Sequence, residues 1–383
     1  MLNLLLQGRR EHARPLWIAY VDLQAAFDSV DRTSLWLLLQ SIGIPTKLID
    51  MFRDLYTDTV SCVRLDGELS DWFLFGSGVR QGCTVAPSLF LLPVDWVLQR
   101  TSHGGFLGAT LGTEIFTDLD YADDVALLAE MLEVLLLALD VLKNEARPLG
   151  LEVNWQKTKI QTTIDPATAP ASVQVSGNSV DVVESFVYLG AEIHSTGSSE
   201  PEVRRRIGVA KSCFNLLNRG IWRSSISFST KVRLYLTYIQ PVLLYGAETW
   251  ALTRALEDKV DAFDNICLRR IFRIPYTDHV SNATVRLRAG SPPQLSQLIR
   301  SRRLRFFGHI ARTDTSLDIS RALTASIRGL PRDWRRPPGC PRRTWLRTVE
   351  SDLQPHNLGL NSAWRYAQDR GRWQHLVETA TLQ

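Results

Sequence analysis

Cysteine and methionine are scarce, at 5 and 3 of 383 residues. The cysteines, Cys62, Cys83, Cys213, Cys267 and Cys340, are scattered. None forms a C-x-x-C pair, and no histidine stands at zinc-ligand spacing from one. This argues against a disulfide scaffold and a zinc knuckle, and fits a reducing compartment. No apolar run approaches a bilayer span, so no membrane partner is expected. At the start, a leucine run precedes Arg9 and Arg10, the wrong order for a signal peptide. No internal repeat is visible, and the net charge of +4 is mild. What is present is an ordinary globular composition, 45% apolar and 22% charged. The length allows two or three domains with their own cores.

Leu16–Val21 is a short continuous apolar run, as in a strand buried on both faces, and Asp22 closes it. A leucine-rich helix is expected over Ser29–Gln40, broken by Gly43-Ile44-Pro45, and a second over Thr46–Tyr56. Val60–Leu65 alternates like a strand, Asp66-Gly67 is a hairpin turn, and Trp72–Phe75 returns as its partner. Gly76–Gly82 is a glycine-rich loop opening into a helix over Pro87–Gln99. Glycines there let backbone approach a substrate closely, and a helix N-terminus favours anions. Met131–Ala146 reads as a well-covered helix, and Phe186–Gly190 as a short strand. The coarse order, β-α-α-β-β-α-β-β-α-β, gives an α/β or α+β sheet with helices on one face. Ser195–Ser199 reads as a linker. Beyond it the pattern is helical: Glu200–Asn218, Thr230–Trp250 with a kink at Pro241, Leu256–Ile274, Gln294–Ala311 and Ser362–Thr379.

The chemistry centres on Tyr121-Ala122-Asp123-Asp124, between the strand-like runs Ile115–Asp120 and Val125–Ala129. Adjacent carboxylates in a hairpin tip repel each other by several kcal/mol unless compensated. Solvated turn chemistry is the ordinary explanation for such a pair. A divalent cation is the other, and oxygen ligands alone point to Mg2+ or Mn2+ with phosphates completing the shell. If the strand ending in Asp22 lies beside this hairpin, the carboxylates could hold two ions.

Five stretches in order, YVDLQAAFDSVDR from Tyr20, SGVRQGCTVAPSLF from Ser77, DLDYADDVALLA from Asp118, LGLEVNWQKTKI from Leu149 and FVYLGAEI from Phe186, carry a resemblance. They resemble the palm of reverse transcriptases of non-LTR (LINE-type) retrotransposons, over about residues 15–193. A weaker resemblance to the thumb and carboxyl-terminal region lies in LLYGAETWALT from Leu243 and RRLRFFGHIAR from Arg302. The resemblance implies an α/β palm followed by an all-helical thumb and a basic helical carboxyl-terminal region, bounded at 1–195, 196–255 and 256–383. It implies RNA-directed DNA polymerisation with two Mg2+ or Mn2+ ions, an RNA template, a DNA primer and dNTPs. Element RNA in a ribonucleoprotein is a further implied partner, and the nucleus or cytoplasm the implied location.

Residue by residue, the resemblance implies that Asp22, Asp123 and Asp124 ligate the ions, helped by a backbone carbonyl of Val21 or Leu23. Phe27 would be the steric gate against a ribose 2′-hydroxyl. Arg80, Gln81, Gly82 and Tyr121 would line the nucleotide and template. Lys157 would approach the triphosphate as a general acid, a role that suits a lysine whose pKa burial lowers. Phe186, Tyr188, Leu189 and Gly190 would grip the primer.

Arginine crowds the last third of the chain, with Trp334 and Trp345 interleaved. Arg302, Arg303 and Arg305, then Arg335, Arg336, Arg342 and Arg343 in the Arg332–Arg343 segment, are candidate phosphate contacts, and the tryptophans candidate stacking faces. The stretch before Asp22 is shorter than the family's fingers region, which clamps the triphosphate. The expectation is a fragment or a decayed copy that polymerises poorly or not at all by itself. The alternative is a catalytically silent nucleic-acid-binding remnant.

Overall fold

The structure is a computed structural model and describes residues 1–103, 105, 107–328, 330–331 and 333–382. The chain folds as two units. One comprises residues 15–110 and 115–183, and the other residues 1–14, 111–114 and 184–383.

Helix α1, Leu2–Glu11, opens the chain and belongs to the second unit. The first unit starts with β1, Trp17–Val21, whose five residues are all buried, as an unbroken apolar run demands. Helices α2, Ala26–Ser29, and α3, Arg32–Ser41, follow. The single helix expected over Ser29–Gln40 is therefore two. Val30 leaves the helical region, and Asp31 caps α3 by accepting from the Ser34 amide at 2.7 Å. Helix α4 is Thr46–Tyr56. Four two-residue strands come next: β2, Val60–Ser61, β3, Arg64–Leu65, β4, Glu68–Leu69, and β5, Phe73–Leu74. They pair as a nested ribbon, β2 with β5 and β3 with β4, around Asp66-Gly67, outside the main sheet.

Helix α5, Ala86–Ser102, then leads to the short strands β6, Ala109–Leu111, and β7, Glu114–Phe116. Strands β8, Asp118–Tyr121, and β9, Asp124–Ala129, form the acidic hairpin, and α6, Leu132–Ala146, packs on α5. Strand β10, Lys159–Thr162, completes a four-stranded antiparallel sheet in the order β10-β1-β9-β8. A hairpin of β11, Ser172–Val175, and β12, Asn178–Asp181, closes the unit. Its core joins Ala19, Val21, Leu127 and Ala129 to Leu35, Phe90, Val94, Leu135 and Leu139.

The second unit contains a hairpin of β13, Ser185–Tyr188, and β14, Ala191–His194. Its turn residues Leu189 and Gly190 have φ of 49° and 74°, the left-handed pair a tight primed hairpin turn requires. Ser195–Ser199 is no loose linker. Ser195 and Ser199 are buried, and the Gly197 carbonyl accepts from Gln7 Nε2 at 2.9 Å.

Helix α7 is Glu200–Leu216. A long helix follows in three parts: α8, Phe228–Leu234, a π-helical turn at Tyr235–Ile239, and α9, Gln240–Leu243. Pro241 lacks the amide a regular helix needs, and the π turn lies immediately before it. The helix stops at Leu243, short of the expected Trp250. Then come α10, Arg254–Phe272, α11, Asn282–Arg288, α12, Leu295–Ala311, α13, Asp318–Arg328, and α14, Trp345–Leu353. The sequence-based border at 255/256 falls inside α10. The expected final helix is two, α15, Leu360–Ala367, and α16, Arg370–Leu382.

One core of this unit gathers Phe214, Trp222, Tyr235, Leu243, Val260 and Leu268. A second joins Leu4 of α1 to Phe307, Trp345, Val349, Trp373 and Val377. Among the described residues no helix is long and apolar enough to cross a membrane.

Candidate active site

Strand β1 delivers Asp22 to its end, and β9 runs beside it with Val21 opposite Val125. Extending that register places Asp22 opposite Asp124. Tyr121 pairs with Asp124, so Ala122 and Asp123 form a two-residue connection at the tip. Ala122 takes φ of 59°, a left-handed conformation costing roughly 1–2 kcal/mol in a residue with a Cβ. Such strain is held only where surrounding structure fixes the backbone, and it is common at functional sites.

The carboxylates feel one another. Burial first, then the negative charges of Asp123 and Asp22, raise the pKa of Asp124 above its ordinary value. Asp22 Oδ2 is buried and makes no hydrogen bond, a costly state for a carboxylate oxygen. Lys157 Nζ stands 3.6 Å from it. Among the described residues no group of three or more His, Cys, Asp or Glu side chains is placed to hold a metal ion. What stands together is a pair of hard carboxylates, Asp22 and Asp124, at the ends of neighbouring strands, with one Asp22 oxygen unsatisfied. That fits Mg2+ or Mn2+, which retains water or phosphate ligands.

The Leu149–Thr158 segment wraps this corner. Gln24 donates its amide to the Glu152 carbonyl at 2.8 Å, and Asn154 donates its amide to the Asp22 carbonyl at 2.8 Å. The Asp22 amide donates to Thr158 Oγ1 at 3.3 Å. Gly150 makes the close approach possible, since a Cβ there would lie 2.4 Å from the Ser29 carbonyl oxygen. This packing carries Lys157 to Asp22. The lysine side chain is 70% exposed, so the burial expected of it is not present.

Phe27 is half-buried and stacks on Phe90, with centroids 4.3 Å apart and planes 21° from parallel. Its carbonyl accepts from the Val79 amide at 2.7 Å, tying it to the glycine-rich loop. Gly78 has φ of 73°, and a Cβ there would come within 2.6 Å of Asp28 Cα. Arg80, Gln81 and Gly82 are exposed beyond it, Arg80 reaching Thr59 Oγ1 at 3.3 Å and Gln81 reaching Asp28 Oδ1 at 3.5 Å. Tyr121 is 69% exposed.

Sequence reasoning missed Arg32. Its guanidinium donates to the carbonyls of Gly78 at 2.9 Å, Phe75 at 2.9 Å, Tyr56 at 3.2 Å and Ser77 at 3.1 Å. One side chain thus ties the end of α4 to the first half of the loop that presents Arg80–Gly82. The only signal was an arginine directly after the capping Asp31.

The primer-grip candidates lie in the second unit. Tyr188 is buried, Phe186 half-buried, and Leu189 and Gly190 are exposed. The Leu189 carbonyl accepts from Tyr245 Oη at 3.0 Å, and the Gly190 carbonyl from Arg205 at 2.7 Å and from Arg206.

The arginine-rich region departs from expectation. Arg303 is 1% exposed, donating to Asp352 at 2.6 Å and to the Trp250 carbonyl at 3.0 Å. It is internal wiring and cannot meet phosphate. Arg302 donates to the Leu244 carbonyl at 2.8 Å, and Arg343 to the Leu252 carbonyl and Ser351 Oγ, both at 3.1 Å. Arg305, Arg335, Arg336 and Arg342 are exposed, and Arg332 lies outside the described residues. Trp334 is buried, with His12, Arg9 and Arg14 around its ring, and Trp345 is buried, donating to the Glu248 carbonyl at 2.8 Å. Neither tryptophan offers a free face for a base.

Residues 4–193 match the family described as reverse transcriptase (RNA-dependent DNA polymerase). The chain belongs to that family, in its non-LTR (LINE-type) branch. It is similar to a transposon-derived protein of Caenorhabditis elegans, 25% identical over 276 residues that cover 69% of this chain and 96% of the relative. It is 31% identical over 157 residues to the Pol polyprotein of the retrotransposable element R2DM of Drosophila melanogaster, covering 41% of this chain and 15% of that one. A third relative, the RNA-directed DNA polymerase from mobile element jockey of the same fly, is 22% identical, covering 67% and 28%. The chain therefore spans only a minor part of these two fly proteins. Among solved structures, telomerase from Candida tropicalis aligns at a TM-score of 0.40 and 13% identity, covering 99% of this chain and 56% of that one.

Proposed function

We propose that the chain extends a DNA primer along an RNA template, transferring nucleotides from dNTPs. The observation that carries this reading is the placement of Asp22 and the Asp123-Asp124 tip on neighbouring strands, with an unsatisfied buried oxygen on Asp22. Two divalent ions, when bound, would supply the charge that activates the primer hydroxyl and neutralises the leaving pyrophosphate. Asp22, Asp123 and Asp124 would hold them, with the Val21 or Leu23 carbonyl as a further donor.

The primer 3′-oxygen forms a bond to the α-phosphorus, and the α–β phosphoanhydride breaks. The hydroxyl proton leaves to water. Lys157, exposed beside Asp22, gives a proton to the pyrophosphate. Phe27, pinned by Phe90, occupies the space a ribose 2′-hydroxyl would need. Arg80, Gln81, Gly82 and Tyr121 steady the nucleotide and template, and Phe186–Gly190 the primer. Arg305, Arg335, Arg336 and Arg342 contact phosphates beyond the site. Element RNA is a fitting template, and priming at chromosomal DNA would place the work in the nucleus.

The test is primer extension on a primed RNA template with dNTPs and Mg2+, run beside Asp123→Ala. Template-dependent product that disappears in the variant supports the reading. Absence of product from the parent protein, with its fold verified, refutes it.

A further inference from the structure

The turn of the β13–β14 hairpin is clamped from two sides by side chains that have no part in the carboxylate site. On α7, Glu202 stands three residues before Arg205 and four before Arg206, the spacings that bring side chains together on one helix face. Glu202 is 3% exposed. Its Oε2 accepts from the Glu192 amide at 2.8 Å and from Arg205 Nε at 2.7 Å. Its Oε1 accepts from Arg206 Nε at 2.7 Å and from Arg205 Nη2 at 3.1 Å. The outer nitrogens of both guanidiniums then converge on one atom, the Gly190 carbonyl oxygen. Glu192, on β14, accepts in turn from Ser185 Oγ on β13.

The other turn carbonyl is held by a different element. Tyr245 follows α9 and donates its hydroxyl to the Leu189 carbonyl at 3.0 Å. Its ring lies 4.4 Å from the Arg206 guanidinium, a cation–π contact that joins the two halves of the clamp. A Cβ on Gly190 would stand 3.4 Å from that ring, so turn and tyrosine are already in close contact. The tip of a two-residue hairpin ordinarily faces water and moves freely. Here its backbone cannot shift without breaking charge-assisted hydrogen bonds rooted in a buried carboxylate. The strand register already closes the hairpin. What the clamp adds is the direction in which the tip presents its exposed side chains, Val187 and Leu189.

We propose that Glu202 is a positioning residue for the primer terminus. Through Arg205 and Arg206, and across the cation–π contact to Tyr245, it fixes where the Leu189–Gly190 turn holds the strand whose 3′-hydroxyl reacts. The proposal rests on the reading that Phe186–Gly190 meet the primer. Glu202 itself touches neither primer nor nucleotide. Loosening the clamp leaves the binding surface in place and displaces the hydroxyl, and misplacement costs turnover far more than affinity.

The experiment is single-nucleotide extension of a DNA primer on an RNA template by the full chain, beside Glu202→Gln and Tyr245→Phe, with kcat and the primer KM determined separately. Glutamine keeps the shape of Glu202 and loses the charge that gathers the arginines. Phenylalanine keeps the ring and removes one hydroxyl from a side chain that is 52% exposed, so the fold is retained. Glu202→Gln should lower kcat about tenfold and Tyr245→Phe about threefold. The primer KM should stay within about twofold of the parent. The double variant should lose little more than Glu202→Gln alone, since both changes act on one turn. Unchanged kcat in folded variants, or a loss confined to the primer KM, overturns the proposal. The same primer with 2-aminopurine at its 3′ end gives a readout that needs no chemistry. At saturating protein its emission should rise in both variants as the terminal base loosens, and equal emission overturns the proposal even where the parent fails to extend. Failure of the parent to extend counts separately, against the polymerase reading.

Discussion

Replacing Arg303 by methionine isolates a residue whose type suggests phosphate and whose surroundings say otherwise. The guanidinium is almost wholly enclosed and holds Asp352, which is 5% exposed, at 2.6 Å. Removing it strands a buried carboxylate and the Trp250 carbonyl. Breaking one side of a buried ion pair costs about 3–5 kcal/mol. Arg300 remains 3.4 Å from the other Asp352 oxygen and offsets part of this. Methionine nearly fills the alkyl volume, so the cavity cost is small. The expected loss is about 3 kcal/mol, read by urea unfolding followed through tryptophan fluorescence. Replacing both partners, Arg303→Met with Asp352→Leu, should bring stability back to within about 1 kcal/mol of the parent. Neither change should alter the salt slope of nucleic-acid binding. A stable Arg303→Met protein with a reduced salt slope would show that the guanidinium turns outward to phosphate, and the reasoning would fail.

Phe27→Val should raise ribonucleotide incorporation relative to deoxyribonucleotide, measured by single-turnover extension with each substrate; unchanged sugar discrimination would remove Phe27 as the gate. Gly78→Ala adds about 1–2 kcal/mol of left-handed strain to a collision with Asp28, displacing Arg80–Gly82. Its turnover should fall at least about tenfold, far more than a modest melting shift would explain. Asp124 has a folded pKa above its ordinary 3.8, so the folded protein keeps a proton that the unfolded chain has released. That contribution to stability is complete below 3.8 and fades as pH rises through the raised value. In EDTA, the melting-temperature advantage of Asp124→Asn over the parent should grow through this window and then level off. A constant difference across pH would contradict the repulsion.

The palm was legible because its strands advertise themselves. Leu16–Val21 is too short and too apolar to be anything but an enclosed strand, and two apolar runs around a polar tip make a hairpin. That Asp22 lies beside the hairpin was only a condition in the sequence, because the pairing of β1 with β9, which sets Asp22 opposite Asp124, joins strands about a hundred residues apart. Lys157 was placed only through its motif, because its position depends on Gly150 and Asn154 packing onto distant backbone. Arg32 was invisible: it acts on four carbonyls far along the chain, and no local periodicity records that. The arginine-rich end misled because residue type reports charge and not burial, and Arg303, Trp334 and Trp345 are all inside. Tyr235, Asp264 and Arg286, joined by hydrogen bonds of 2.6 Å, likewise sit on three helices that only the fold brings together.

Helix α1 has a bearing on how the polypeptide matures as it leaves the ribosome. Gln7 bonds to Gly197 and to the Trp345 amide, Glu11 to Arg347, and Arg14 to Asp333. Those counterparts emerge more than three hundred residues after α1 in most cases, a delay of roughly 15–70 s at ordinary translation speeds. Throughout that interval the leucines of α1 have no final resting place. Nascent chains stalled before Trp345 should therefore recruit chaperones that the finished protein no longer needs.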